Sequence, residues 1–144
     1  MEKRINVEQL APKSYKAMLG LSASIAQSQV SKSDQELIKI RASQINGCAF
    51  CLNMHTQDAL RLGETNQRIF MLNAWKETEL FTPKERVILA MTEEITLISR
   101  SGLSHTTYQE AIDLLGEEYT AEVIFVIITI NAWNRIAIAT NKPI

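Results

Sequence analysis

The chain runs to 144 residues, 46% of them hydrophobic and 22% charged, with a net charge of −1. That is enough for a single domain, residues 1–144, with a core of its own and no staples. The balanced charge leaves no electrostatic footprint for nucleic acid or an anionic membrane, and the longest apolar run, Val123 to Ile130, is far short of the roughly 20 residues a membrane span needs.

Only five glycines and three prolines argue against an all-β fold with its many tight turns. The opening hexapeptide, Met1 to Asn6, lacks the apolar stretch of a signal peptide. Two cysteines without such a signal point to a reducing, cytoplasmic setting and to a chemical use of sulfur.

In chain order, residues from about Val7 to Gln29 place Leu10, Tyr15, Met18, Leu19, Leu21, Ile25 and Ala26 at mostly helical spacings. This predicts one amphipathic helix with Pro12 near its first turn. Ser33-Asp34-Gln35-Glu36 is a capping-box pattern that opens a second helix, running to about Ile45. Asn46-Gly47 is a break. A third helix is expected from near Cys48 to Leu62, closed by Gly63 at the C′ position.

Thr65 or Asn66 caps a short fourth helix reaching Trp75. Thr82-Pro83-Lys84-Glu85 combines a capping box with proline at N1, and its helix stops before Gly102. A sixth spans about Thr106 to Leu115 and ends at Gly116, leaving His105 in a solvated loop. Thr120 then caps the last helix, to about Ala139. Its β-branched run also fits a buried strand, but no second strand candidate exists to pair with it. The reading is all-α, with six to seven helices.

The chemistry concentrates in Cys48-Ala49-Phe50-Cys51-Leu52-Asn53-Met54-His55. On a helix, Cys48 and Cys51 are neighbours one turn apart, as a redox disulfide requires. Cys51 and His55 are also one turn apart, about 40° around the axis and about 6 Å along it, so His55 can take the Cys51 proton. Cys48 is nearer the helix N-terminus, where the dipole favours a thiolate. The specific base outweighs the diffuse field, which makes Cys51 the attacking thiol and Cys48 the resolving one.

A base alone is insufficient. Lowering a thiol pKa from about 8.5 to about 6 raises the thiolate fraction roughly 30-fold while nucleophilicity falls roughly ten-fold. Peroxide cleavage also expels a poor leaving group, and protonating it is worth roughly 10² to 10⁴. A histidine that accepts the thiol proton and returns it to the departing oxygen meets both needs, best when a carboxylate sets its tautomer.

Glu36, eleven residues, Cys48-x-x-Cys51, three residues, His55 resembles the core motif of the AhpD-like alkylhydroperoxidases of the carboxymuconolactone decarboxylase superfamily. The resemblance extends from about Leu10 to the C-terminus and includes Asn46-Gly47 and Asn131-Ala132-Trp133-Asn134-Arg135. It implies an AhpD-like helical fold with the Cys-x-x-Cys at a helix N-terminus. It also implies a homo-oligomer, trimeric or hexameric with the hexamer preferred, and reduction of hydroperoxides at the expense of an external dithiol. By position, Glu36 matches the acid of the proton relay, His55 its base, Cys51 the peroxidatic thiol and Cys48 the resolving thiol. No cofactor or metal is implied. Phe50 is a departure, because the best-characterised alkylhydroperoxidase has a histidine there. The decarboxylase branch lacks the paired cysteines, so lactone decarboxylation fits poorly.

Plainer roles exist for the same residues. Glu36 is also the N3 member of the expected capping box, His55 suits a partly buried structural histidine, and free cysteines pack well. Trp133 and Arg135 read as core or subunit-contact residues, and the methionines as gap-filling core. Zinc on Cys48, Cys51, His55 and Glu36 is the chemical alternative, although three of those ligands crowd one helix. A scaffold with a redox-sensitive latch is the non-enzymatic one.

Overall fold

The structure, a computed structural model, describes residues 4–144. Met1, Glu2 and Lys3, half of the opening hexapeptide considered above, lie outside the described residues. Among those described, the chain forms nine α-helices, one 3-10 helix and no strand: α1 (Val7–Leu10), α2 (Pro12–Ala26), α3 (Lys32–Asn46), α4 (Ala49–Arg61), α5 (Asn66–Met71), the 3-10 helix Leu72–Glu77, α6 (Pro83–Thr96), α7 (Ile98–Ser101), α8 (His105–Leu115) and α9 (Glu117–Ala139).

The all-α expectation is met with more helices than the six to seven predicted, because two expected helices are divided. Ala11 leaves the helical region at φ −131°, ψ 56° between α1 and α2; it precedes Pro12, whose ring disfavours helical backbone at the residue before it. Leu97 interrupts the fifth expected helix at φ −100°, ψ 35°, so α6 ends at Thr96 and α7 follows. The fourth ends as the 3-10 helix.

Local caps explain most other boundaries. Thr82 and Glu85 form the expected reciprocal capping box with Pro83 at N1. Gly47 stops α3 at φ 70°, a left-handed conformation that glycine adopts without steric cost. Two caps fall elsewhere than predicted. Ser31, not Ser33, caps α3, its hydroxyl accepting the Asp34 N–H at 3.1 Å. The reason is tertiary: the Tyr119 hydroxyl accepts the Ser31 N–H at 3.2 Å and donates to Asp34 at 2.6 Å. Thr120 does not cap α9, which begins at Glu117; its hydroxyl donates to the Ala111 carbonyl at 3.3 Å instead. His105 is exposed but helical, directly after the Ser104 cap of α8.

Helices α3, α6 and α9 pack on one another at the centre, with α4 against α3 and α9, and α8 against α6 and α9. Ile38, Ile88, Met91, Val123 and Ile127 fill that centre, and a smaller cluster around Leu37, Ile40, Leu72, Trp75 and Leu89 lies beside it. Met91 is core as expected, whereas Met54 and Met71 are exposed. Helix α9, at 23 residues, is long and apolar enough to cross a membrane by length and composition, more than its central run Val123–Ile130 suggested. Its buried Asn131 and Asn134 are hydrogen-bonded to neighbouring helices, as in a helix at the centre of a folded domain.

Candidate active site

The motif residues meet where α3 and α4 lie face to face. Gly47 turns the chain, and Cys48 becomes the N-cap of α4, its sulfur accepting the Cys51 N–H at 3.3 Å. Cys51 follows in the first turn and His55 one turn later, both buried. From α3, the buried Glu36 reaches across: its Oε2 lies 2.8 Å from His55 Nδ1, while Oε1 lies 2.7 Å from Lys39 Nζ. The capping-box role expected of Glu36 at N3 is excluded, because the Ser31 cap puts it at N5, two residues further into the helix.

Electrostatics set the protonation states. Burial pushes the Glu36 carboxyl up, but the hydrogen bond from His55 and the Lys39 ammonium outweigh it and hold the group below its ordinary value. An ionised Glu36 accepts from Nδ1–H, which leaves Nε2 as the proton-accepting nitrogen of His55. Cys51 goes the other way. Burial, followed by its hydrogen bond with the Cys48 thiol, pushes Cys51 up to about 12, against a hydrogen bond from Asn134 and the Lys142 ammonium, which favour the thiolate. Cys51 in the reduced pair is therefore a protonated thiol at neutral pH, not the depressed one considered from the sequence.

A cavity of about 700 Å³ opens beside these groups. Cys51, His55, Phe50, Met54 and Lys39 border it, whereas Cys48 does not. Its other walls come from α2, from Val126 to Ala137 of α9, and from the chain segments before α1 and after α9. The two sulfurs are thus unequal: one faces the cavity and the other caps a helix behind it. Phe50 has a definite environment, with the Lys142 ammonium 4.3 Å from its ring centroid.

Sequence reasoning missed Asn134. It is fully buried, accepts from Asn46 at 2.9 Å, donates to Ser43 at 2.9 Å and lies beside Cys51, where its amide favours the thiolate. Two asparagines inside an otherwise apolar helix were the available signal, since buried amides persist where they are hydrogen-bonded. Trp133 is half-buried on the cavity wall, where its indole N–H donates to Ser22 at 2.9 Å and its ring meets Tyr15 edge-on. Arg135 is exposed and bonds Asn131 within its own helix. The potential metal ligands brought together among the described residues are Glu36, His55 and Asp58. Neither cysteine belongs to that group, and Glu36 and Asp58 already hold Lys39 and Arg61, so the Cys-based zinc set is not assembled.

The model of the Carboxymuconolactone decarboxylase family matches residues 12–94, which span Glu36, Cys48, Cys51 and His55. The uncharacterized protein YdfG of Bacillus subtilis (strain 168) is 41% identical over 139 residues, 96% of this chain and 95% of that protein. The crystal structure of ATU0492 from Agrobacterium tumefaciens, a protein of unknown function described as an antioxidant defence protein AhpD, superposes with a TM-score of 0.94 at 31% identity, covering 99% of this chain and 97% of that one. An uncharacterized peroxidase-related protein from Silicibacter sp. TM1040 gives a TM-score of 0.77 at 26% identity over 94% of this chain and 70% of that one.

Proposed function

The chain belongs to the carboxymuconolactone decarboxylase family, within its AhpD-like group, and on that premise we propose that it is a thiol peroxidase reducing a hydroperoxide through Cys51 and Cys48. The observation that carries the reading is the 2.8 Å contact between Glu36 and His55 on the wall of a cavity that Cys51 also faces. A peroxide in that cavity reaches a thiol and a base together.

At pH 7 a thiol with a pKa near 12 is thiolate in only about one molecule in 10⁵. Attack therefore requires that the proton leave as the sulfur reacts, and His55 is the base that takes it. The Cys51 sulfur bonds the terminal peroxide oxygen, the O–O bond breaks, and its electron pair departs on the alkoxide. His55 returns its proton to that oxygen, giving the alcohol, while Glu36 holds the transient imidazolium. Cys51 is now a sulfenic acid. The Cys48 sulfur attacks it, an S–S bond forms, and the oxygen leaves as water with the Cys48 proton. Hydroperoxide and two thiols become alcohol, water and a disulfide, which an external dithiol then reduces by exchange.

The proposal includes a homo-oligomer, with the hexamer preferred over the trimer. It is supported by Phe125, Ile128 and Ile138, which stand exposed on α9.

The test is stopped-flow consumption of tert-butyl hydroperoxide and hydrogen peroxide with dithiothreitol as reductant. Cys51→Ser is expected to lose at least about 10³-fold in turnover, since it removes the nucleophile. His55→Ala is expected to lose about 10² to 10⁴, the span of general acid–base catalysis. Without dithiothreitol, Cys48→Ser should consume one equivalent of peroxide and stop at the Cys51 sulfenic acid. Full activity in Cys51→Ser would overturn the assignment of the attacking thiol, and absence of turnover in wild type would overturn the peroxidase itself.

A further inference from the structure

Hydrogen peroxide needs little more room than a water molecule, whose share of liquid is about 30 Å³, yet Cys51 and His55 open onto about 700 Å³. That is the volume of a site for a sizeable organic ligand. Its walls are chiefly hydrocarbon: Leu19 and Ile25 from α2, and Val126, Ile130, Trp133 and Ile136 from α9.

The charged groups on the wall are unevenly placed. Lys39 is neutralised by Glu36. Arg4 and Lys142 both line the cavity, and among the described residues neither forms an ion pair with a carboxylate. Arg4 donates to the Ala139 carbonyl at 2.8 Å, and Lys142 sits on the Phe50 ring with its backbone N–H bonded to Ala137 at 2.9 Å. Both cations are therefore held at the C-terminal end of α9, whose dipole suits them there. Glu8 is the carboxylate on the same wall and leaves that end with a net positive charge.

Distance along α9 orders the site. Asn134, beside Cys51 where α4 packs on α9, lies five residues from Ala139 and eight from Val126. These are about 8 Å and about 12 Å along the axis. Along α9 the cavity wall therefore runs from a cationic end, past Asn134 beside the thiol, to apolar side chains at Ile130 and Val126. We propose that this cavity takes an amphipathic hydroperoxide, an acyl-chain carboxylate with its peroxide group inside the chain, whose carboxylate is held by Arg4 and Lys142 while the tail lies towards Val126 and Ile25. The inference rests on the peroxidase reading for its chemistry, but the binding site stands apart from turnover. The carboxylate is a spectator to the reaction.

The test compares linoleic acid 9-hydroperoxide with its methyl ester, both below their critical micelle concentrations. Wild type is expected to favour the acid over the ester in kcat/KM by about tenfold, the worth of one charge-assisted contact. In Arg4→Ala/Lys142→Ala that ratio should fall to about one; a ratio cancels any effect of Lys142 on the thiol itself. Oleate, which carries no peroxide, should bind Cys51→Ser by calorimetry and lose about tenfold in affinity when Arg4 and Lys142 are also replaced. Turnover of tert-butyl hydroperoxide with equal kcat/KM for acid and ester would sink this inference and leave the peroxidase standing. Oleate binding that depends on the two cations, in a protein without peroxide turnover, would do the reverse. Oleate binding indifferent to both cations would overturn the assigned head-group site.

Discussion

Helices α2 and α9 border the same cavity and are built in opposite ways. Of the fifteen residues of α2, only Ile25 is buried. Helix α9 buries nine residues, including Asn131 and Asn134, and all the buried side-chain polar atoms of the described structure have partners. Asn46, on α3, joins both asparagines at 3.0 and 2.9 Å, Asn131 donates to Thr96 at 2.9 Å, and Asn134 donates to Ser43 at 2.9 Å. The α9 wall is therefore held by hydrogen bonds of fixed direction to α3, which carries Glu36, and to α6, whereas α2 is laid over it by apolar contact and the Trp133–Ser22 hydrogen bond. Chemistry needs positions held to fractions of an ångström, whereas accommodation of a ligand does not.

The largest effect that sharpens this contrast is Asn134→Ala, which leaves the buried Ser43 hydroxyl without its Asn134 donor and removes one of the two bonds that Asn46 makes to α9. It is expected to cost about 2–3 kcal/mol, the penalty for unsatisfied buried polar groups, read as a lower urea midpoint at constant slope.

A smaller effect is a pH dependence set by Cys51, on α4 where it packs against α9. Cys51 keeps its proton in the folded chain up to about 12, against an ordinary value of 9.0. Above pH 9 the unfolded chain releases that proton and the folded chain does not, so the stability the buried thiol contributes is complete below pH 9 and is lost as pH rises towards 12. Thermal melts under reducing, anaerobic conditions should show wild type losing stability over this window faster than Cys51→Ser. Parallel curves would remove burial as the governing influence on that thiol.

The smallest effect belongs to the outer wall. Leu19 is 49% exposed, and Leu19→Ala should change stability by less than about 0.5 kcal/mol. A loss as large as that of Asn134→Ala in the same denaturation experiment would mean that α2 is packed by more than this chain supplies, and the contrast between the walls would fail.

Much of the fold was legible because helix ends are settled within four residues. Thr82-Pro83-Lys84-Glu85 satisfies its own exposed N–H groups, and Gly47 and Gly63 adopt positive φ, as expected of the residues that end α3 and α4. The failures are the boundaries that distant residues decide. Ser31 displaces Ser33 because Tyr119 comes from α9 to hold it, and Thr120 is drawn from its expected cap by Ala111 on α8. The site divides in the same way. The spacing of Cys48, Cys51 and His55 along one helix follows from helical geometry, whereas nothing local announces that Asn134 reaches Cys51 from a residue 83 positions away.

By itself, then, the sequence determined an all-α chain, a Cys-x-x-Cys at the start of a helix with a histidine one turn beyond, and, by resemblance, a glutamate separated from the first cysteine by eleven residues as the partner of that histidine. The first two follow from repeat, cap and spacing, which act over a few residues, and the glutamate from the resemblance alone. Only the tertiary structure decided that Glu36 meets His55 at 2.8 Å, that Cys51 faces the cavity and Cys48 does not, and that burial raises the Cys51 thiol instead of lowering it. Those outcomes depend on which surfaces α3, α4 and α9 bury against one another, because packing sets both the distance between remote groups and the water left around them.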